Sequence, residues 1–591
     1  MGLVLVLCFR MDVYAQVLCK HKLDNVKKEY FKIAFIAIML FLNYSINAQT
    51  FEWAKPFGGW SFDGGTSITV DASGNVYTTG FFQYTVDFDP GAGTTNLTSK
   101  GYSDVFVQKL DPLGNLVWAK SFGGTSSDGG NSITVDASGN VYTTGYFGDT
   151  VDFDPGVGTT SLTSKGYSDV FVQKLDPSGN LVWAKSFGGT SSDGGNSITV
   201  DASGNAYITG YFIDTVDFDP GAGTTNLTSN GSFDVFVQKL NPSGNLLWVK
   251  SFGGTSGDRG HITVDVSGNV YTTGEFGDTV DFDPGAGTTN HTSNGFSDAF
   301  IQKFDPSGNL VWAKSFGGKS DDGGTSITVD ALGNVYTTGF FRDTVDFDPG
   351  AGTTKLASKG GSDVFVQKID PSGNLLWVKS FGGTSNDGGM SITADASGNA
   401  YLAGFFRDTV DFDPGAGTTK LASKGGSDVF VQKLDASGNL LWVKSFGGWK
   451  RNDVGISITL DTSGIVYTTG YFGDTVDFDP GVGTTSLSSK GYSDVFVQKM
   501  SQSPPLRIID KNFGNKLVVY PNPTSGNFSI DLGDVYESSQ VIITDISRKK
   551  IESITKPQTK VLNLSIKEPD GIYLISIHAG TKTAVIKMVK Q

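Results

Sequence analysis

Hydrophobic positions between residues 51 and 500 fall into short bursts separated by turn residues, and the bursts repeat. In one unit they are SITVD (132–136), VYTTGYF (141–147), DVFVQKL (169–175) and LVWAKSF (181–187). ASGN (137–140) links the first two and DPSGN (176–180) the last two. Pro presets φ at the first turn position, Gly and Asn accept positive φ, and Asp or Ser bonds nearby backbone N–H groups, so each pair predicts a hairpin. Apolar residues occupy both parities, with Phe171 out of phase with Val170 and Val172, so both faces of the sheet must be covered. Equivalent tryptophans at Trp53, Trp118, Trp183, Trp248, Trp312, Trp377 and Trp442 set a period of 65, broken once by a single missing residue. That spacing counts seven units.

Four antiparallel strands per unit, stacked face to face, predict an all-β chain built as a seven-bladed β-propeller. The phase of its ends predicts how it closes. FEWAKPFGG (51–59) matches only the fourth strand of a unit, and DVFVQKM (494–500) stops after the third. One blade is therefore expected to be assembled from N- and C-terminal strands, which removes the edge an open array would leave. Each repeat tryptophan is expected to wedge between neighbouring blades.

Composition agrees: 79 glycines and 12% aromatic residues favour strands and turns over helices. The net charge of −15 is unevenly spread. Residues 1–48 carry +3, 501–515 carry +1 and 516–591 carry +3, which leaves −22 on the repeats. Such a surface repels nucleic-acid phosphates and anionic lipid and suits cations or basic partners. Cys8 and Cys19 both precede the repeats, so packing alone must hold the propeller. VKKEYFKIAFIAIMLFLNYSINAQ (26–49) has a Lys-rich start, an apolar core and small Ala48 before Gln49, the layout of a secretory signal peptide cleaved between those two residues. Its apolar stretch is too short for an anchor, so the mature form is expected to have no transmembrane span. The apolar MGLVLVLCF ahead of it is out of place, and translation is expected to start near Val26. The domain reading is a leader and signal peptide (1–48), the propeller (49–500), a Pro and polar linker (501–515) and a small β-sandwich (516–591) with six alternating strands, among them 528–532 and 541–546.

Short turns should share one face of the disc and longer connections the other, so a ligand is expected on the long-loop face. The long excursion carries DFDPG in every copy, as in Asp152 and Asp154. Carboxylates two apart beside a Gly turn suit weak Ca²⁺ binding, although the full D-x-D-x-D-G loop is absent. They suit better a Pro-Gly turn capped by Asp154 with Asp152 solvated. Asp128 in SSDGG, with its equivalents, reads as a turn cap. Departures from sevenfold symmetry point better to a specific site: Trp60 with Phe62, the Trp449-Lys450-Arg451-Asn452 insertion, Arg259-Gly260-His261 where one residue is lost, and Arg342 with Arg407. Trp60 and Trp449 fall in consecutive links, which suits either a joint aromatic patch where the ring closes, with Arg451 as a further candidate contact, or ordinary drift between copies. No Ser-His-Asp set, HExxH, Cys-His pair or P-loop is present, and no catalytic residue, cofactor or dedicated metal site is assigned. A glycosidase needs only two carboxylates, but it needs them in unlike environments, which near-identical blades do not offer.

The units GGxSxDGGxSITVDxSGNVYTTG and SDVFVQKLDPSGNLVW resemble the bacterial β-propeller repeat known as SBBP, a resemblance that implies a fold and no single activity. YPNPTSGNFSIDL (520–532), DGIYLISIHAG (570–580) and VIKMVKQ (585–591) resemble the type A C-terminal sorting domain of the type IX secretion system of Bacteroidetes, with Pro521, Asn522, Pro523, Gly526, Gly571, Tyr573 and Lys587 in its motif positions. Ser547-Arg548-Lys549 departs from the family's Gly-Arg turn. The resemblance implies the type IX machinery as partner, export across the outer membrane, and removal of the tail, leaving the propeller bound to surface lipopolysaccharide or released. The reading is a monomeric, secreted or cell-surface propeller acting as a non-catalytic binding module for glycan or protein. The alternative is a carboxylate-dependent polysaccharide-degrading enzyme.

Overall fold

A computed structural model describes residues 50–481, 483–501, 517–520, 526–545, 549–569, 571–580 and 582–590. Residues 50–501 form seven four-stranded antiparallel sheets, six of them contiguous in sequence. In blade two the strands run, from the centre outward, Gly129–Val135, Val141–Phe147, Asp169–Leu175 and Leu181–Phe187. Blade seven takes Val454–Leu460, Val466–Phe472 and Asp494–Ser501 from the end of the array and its outer strand, Thr50–Phe57, from the beginning. The outer pairing runs antiparallel from Thr50 opposite Ser501 to Phe57 opposite Val495. The innermost strands neighbour one another in cyclic order, including the last with the first, and the ring is shut as the phase of the repeats predicts.

Because both faces of each blade are covered, the third strand DVFVQKL is buried at every position. The cores lie between blades. One joins Tyr77, Val105 and Val107 of blade one to Ile133, Phe147, Phe153 and Phe171 of blade two, and another joins Phe57, Tyr467, Val495 and Val497 of blade seven to Val76 and Phe106 of blade one across the closure. Trp118 is half-buried, 6.3 Å edge-on to Tyr77, and its indole N–H donates to the Pro177 carbonyl of the next blade at 3.1 Å. It is the expected wedge. The excursion after the second strand forms a two-stranded hairpin, Thr150–Asp152 with Ser161–Thr163. It folds back so that Phe153 meets Phe122, Phe147 and Phe171 at 5.1–5.4 Å.

The tail is a five-stranded antiparallel sheet with a buried core including Phe528, Ile530, Val541, Ile543, Tyr573 and Ile575. The strand count differs from the expectation. Segments 528–532 and 541–546 are not separate strands: the first lies within, and the second largely within, one 19-residue strand, Asn527–Asp545. Its long partner, Lys550–Ser565, contains most of the strand expected at 561–566; the part before it was not legible because most of its side chains face solvent and no apolar alternation marks it.

Candidate functional site

Two of the departures from symmetry, Trp60 with Phe62 and the Trp449-Lys450-Arg451-Asn452 insertion, flank blade seven, where the ring closes. Trp60 is 85% and Trp449 76% exposed, and their rings make no aromatic contact with each other among the described residues. Tyr492 connects their links. Its backbone N–H donates to the Ser61 carbonyl at 3.1 Å, its carbonyl accepts from the Arg451 guanidinium at 2.9 Å, and its ring lies 4.6 Å from that guanidinium. Arg451 also pairs with Asp474 at 3.6 Å. The expected patch is thus a line of exposed side chains through Tyr492, which the sequence reading did not include.

Asp152 and Asp154 are engaged by their own loop. Asp152 Oδ1 accepts the N–H groups of Asp154 and Thr160 at 3.0 and 2.8 Å, and Asp154 Oδ1 accepts that of Gly156 at 2.7 Å. The same bonds recur in the other copies, as at Asp87 and Asp411. Asp128 is fully buried and ties two loops together, accepting Gly124 N–H and Gly148 N–H. Burial pushes its carboxyl up to about 7, with the nearby Asp104 and Asp149 charges acting the same way against those two donors. Asp258, Asp322 and Asp453 are likewise pushed up by burial to about 7, and Asp193 and Asp387 to about 6.

The central channel holds a cavity of about 530 Å³. Its walls are the innermost strands, which in six blades carry a bulge that turns one extra residue inward. Those extra residues are Thr66, Asn131, Asn196, Thr325, Met390 and Ile456, so the wall is polar across blades one to three and apolar across blades six and seven. Next to each bulge a serine hydroxyl accepts the backbone N–H of the following blade's isoleucine at 3.2 Å, as Ser67 does from Ile133. Five of seven joints have this bond among the described residues; the two that lack it flank blade four.

Blade four breaks the pattern because it has lost one residue. Its innermost strand, Arg259–Val264, pairs in register without a bulge, and His261 takes the serine position. Elsewhere the second strand ends in an aromatic ring at the channel's long-loop end: Phe81, Tyr146, Tyr211, Phe340, Phe405 and Tyr471. Five of these rings lie over a glycine, and a Cβ on Gly129 or Gly194 would stand 2.8 Å from the tyrosine. In blade four the pair is exchanged as a unit, glycine for Arg259 and aromatic for Glu275, directly opposite each other. Arg259 Cζ sits 6.0 Å from the Tyr211 ring and makes no ion pair within 4.0 Å among the described residues. Burial pushes Glu275 up, with Arg259 opposing and Asp321 reinforcing the shift, while burial and then Arg259 hold His261 down at about 4, hence neutral. Glu275 went unnoticed in the sequence. The signal was there, since it is the one non-aromatic residue at its repeat position.

In the tail, Gly526 takes φ of +124° and its carbonyl accepts from Ile566 N–H at 2.8 Å. Gly571 opens the strand Gly571–Ala579, Tyr573 is buried with its hydroxyl donating to the Pro569 carbonyl, and Lys587 pairs opposite Leu574. Ala48, Gln49, Pro521, Asn522 and Pro523 lie outside the described residues.

Comparison with known proteins matches both parts. Residues 518–591 match the secretion system C-terminal sorting domain family, and residues 182–211 match the beta-propeller repeat family SBBP. An uncharacterized WD repeat-containing protein of Acanthamoeba polyphaga mimivirus is 26% identical over 475 residues, 66% of this chain and 34% of that protein. Regulatory protein FlaEY of Caulobacter vibrioides is 24% identical over 523 residues, 84% of this chain and 50% of that protein. The chain thus spans a third to a half of these relatives' lengths. The chain carries a match to the SBBP propeller repeat and, at residues 518–591, a type IX sorting domain, which directs export to the cell surface or outside. Among the described residues no helix is long and apolar enough to cross a membrane.

Proposed function

We propose that the exported propeller is a non-catalytic glycan-binding module whose site is the long-loop end of the central channel. The observation that carries this is the pair of tyrosine rings, Tyr146 and Tyr211, in the lining of a cavity whose walls also carry hydroxyl and amide side chains. A sugar ring presents C–H groups on its face, which suit an aromatic surface, and hydroxyls at its rim, which suit Asn, Ser and Thr. The volume lies within the roughly 300–1,000 Å³ usual for ligand sites. One observation favours a second reading, polysaccharide hydrolysis: Glu275 of blade four and Asp321 of the link to blade five are carboxylates that no other repeat carries at these positions, and they stand in unlike environments. Incubating the exported protein with a panel of insoluble polysaccharides separates the two. Retention on at least one polysaccharide without release of new reducing ends is expected. Release of reducing ends that Glu275→Gln abolishes would establish the second reading, and no retention on any polysaccharide would overturn the first.

A further inference from the structure

We infer that blade four makes the channel a single asymmetric seat for the end of one neutral hexose chain, with Arg259 and Glu275 taking adjacent hydroxyls and Tyr211 and Tyr146 covering the ring. This rests on the glycan-binding reading and assigns its ligand class and residues. Seven like blades would offer seven like contacts, and one ligand on the axis cannot meet them all. The exchange in blade four removes that degeneracy. Arg259 occupies a position where five other blades hold glycine under an aromatic ring and blade seven holds Val454 opposite Tyr471, so blade four is the one place where a charged pair stands in this register.

The pair supplies complementary chemistry. A guanidinium offers several donors and a carboxylate several acceptors, and a vicinal diol can use both at once. Their charges cancel locally, so the seat carries no net attraction for an acidic sugar. Glu275 is held beside blade five, its Oε2 3.3 Å from where a Cβ on Gly323 would stand. Arg259, neutral His261 and the amides of Asn131 and Asn196 line one side of the cavity, with Glu275 opposite Arg259 on the next strand out, and Met390 and Ile456 line the other side. An object with a hydroxylated edge and a C–H face matches that division.

The test is titration of the full exported chain with cellohexaose, mannohexaose, laminarihexaose and hexagalacturonate. At least one neutral hexaose should bind. Arg259→Gly with Glu275→Tyr, residues that other blades carry at these positions, should weaken it at least tenfold while the melting temperature is held. Glu275→Gln, which keeps the shape, serves if the double variant does not fold, with the same loss expected. Neutral-sugar binding untouched by both variants, or lost in Trp60→Ala with Trp449→Ala instead, overturns this seat and leaves glycan binding standing. Preference for the uronate overturns the neutral ligand class. Failure of all four hexaoses and of the polysaccharide panel overturns the glycan reading itself.

Discussion

Lys499 Nζ lies 3.1 Å from Glu52 Oε2, joining the last strand of the array to the first. The same ammonium donates to the Pro112 carbonyl of blade one at 3.0 Å and sits 5.6 Å from the Tyr467 ring. In the other blades the equivalent lysine covers its tyrosine in the same way, as Lys174 does Tyr142. Val or Leu stands where Glu52 stands, for example Val117 and Leu247. The carboxylate is an addition at the one joint whose two halves are separate chain ends. Lys499→Ala should therefore cost about 1–2 kcal/mol, because it removes the partner of Glu52 and one of the two donors to the Pro112 carbonyl, which keeps the Trp53 indole N–H at 3.3 Å. Glu52→Val should stay within about 1 kcal/mol. Denaturant melts of both variants check the order.

Acid should stabilise the propeller. Asp128, Asp258, Asp322 and Asp453 are pushed up to about 7 by burial, and Asp234, Asp363, Asp428 and Asp494 to about 6. Each folded carboxyl holds a proton that the unfolded chain, titrating near 3.8, has released. Their contribution is fully present below the unfolded value and is lost as pH rises through about 6 to 7. Melting temperature should fall between pH 5 and pH 8, and Asp128→Asn should shrink that fall. A melting temperature that rises over this interval contradicts the assignment.

Tyr84 is 65% exposed and has φ of +60°, where the other six blades place aspartate at +57° to +62°. A bulky residue in the left-handed region is strained, and aspartate tolerates it better. Asp149 also accepts the Ser126 hydroxyl at 2.7 Å, a bond that Ser61 could make to an aspartate at position 84. Tyr84→Asp should stabilise blade one by about 1 kcal/mol, read as a higher denaturation midpoint with unchanged slope.

The DFDPG carboxylates accept backbone N–H groups within their own loops, so calcium has little to gain there. Millimolar Ca²⁺ should leave the melting temperature of the exported protein unchanged. A rise of several degrees that Asp152→Asn removes would show that the loop opens to bind the ion.

Blade number, strand order and closure were legible because they rest on local signals: the tryptophan period, the ASGN and DPSGN turns, and the phase of 51–59 against 494–500. The roles of Asp152, Phe153 and Asp154 needed coordinates. An aspartate that caps a turn and one that binds an ion look alike in a sequence, and only the donor at 2.8 Å separates them. Glu275 escaped for another reason. Its meaning lies in the residue opposite it, Arg259, sixteen positions back on the paired strand, and in the glycine and aromatic that this pair replaces. The long strand Asn527–Asp545 escaped because a tail hairpin held by backbone bonds needs no apolar alternation at its solvent-facing end.

Stoichiometry tests the central claim most directly. Seven near-identical blades would bind up to seven ligands if the repeated loops carried the function, whereas the exchange at Arg259 and Glu275 creates one seat. Calorimetric titration of the exported protein with its best neutral hexaose should give one ligand per chain. A value near seven, or one ligand per chain that survives Arg259→Gly with Glu275→Tyr at full affinity, would contradict the account.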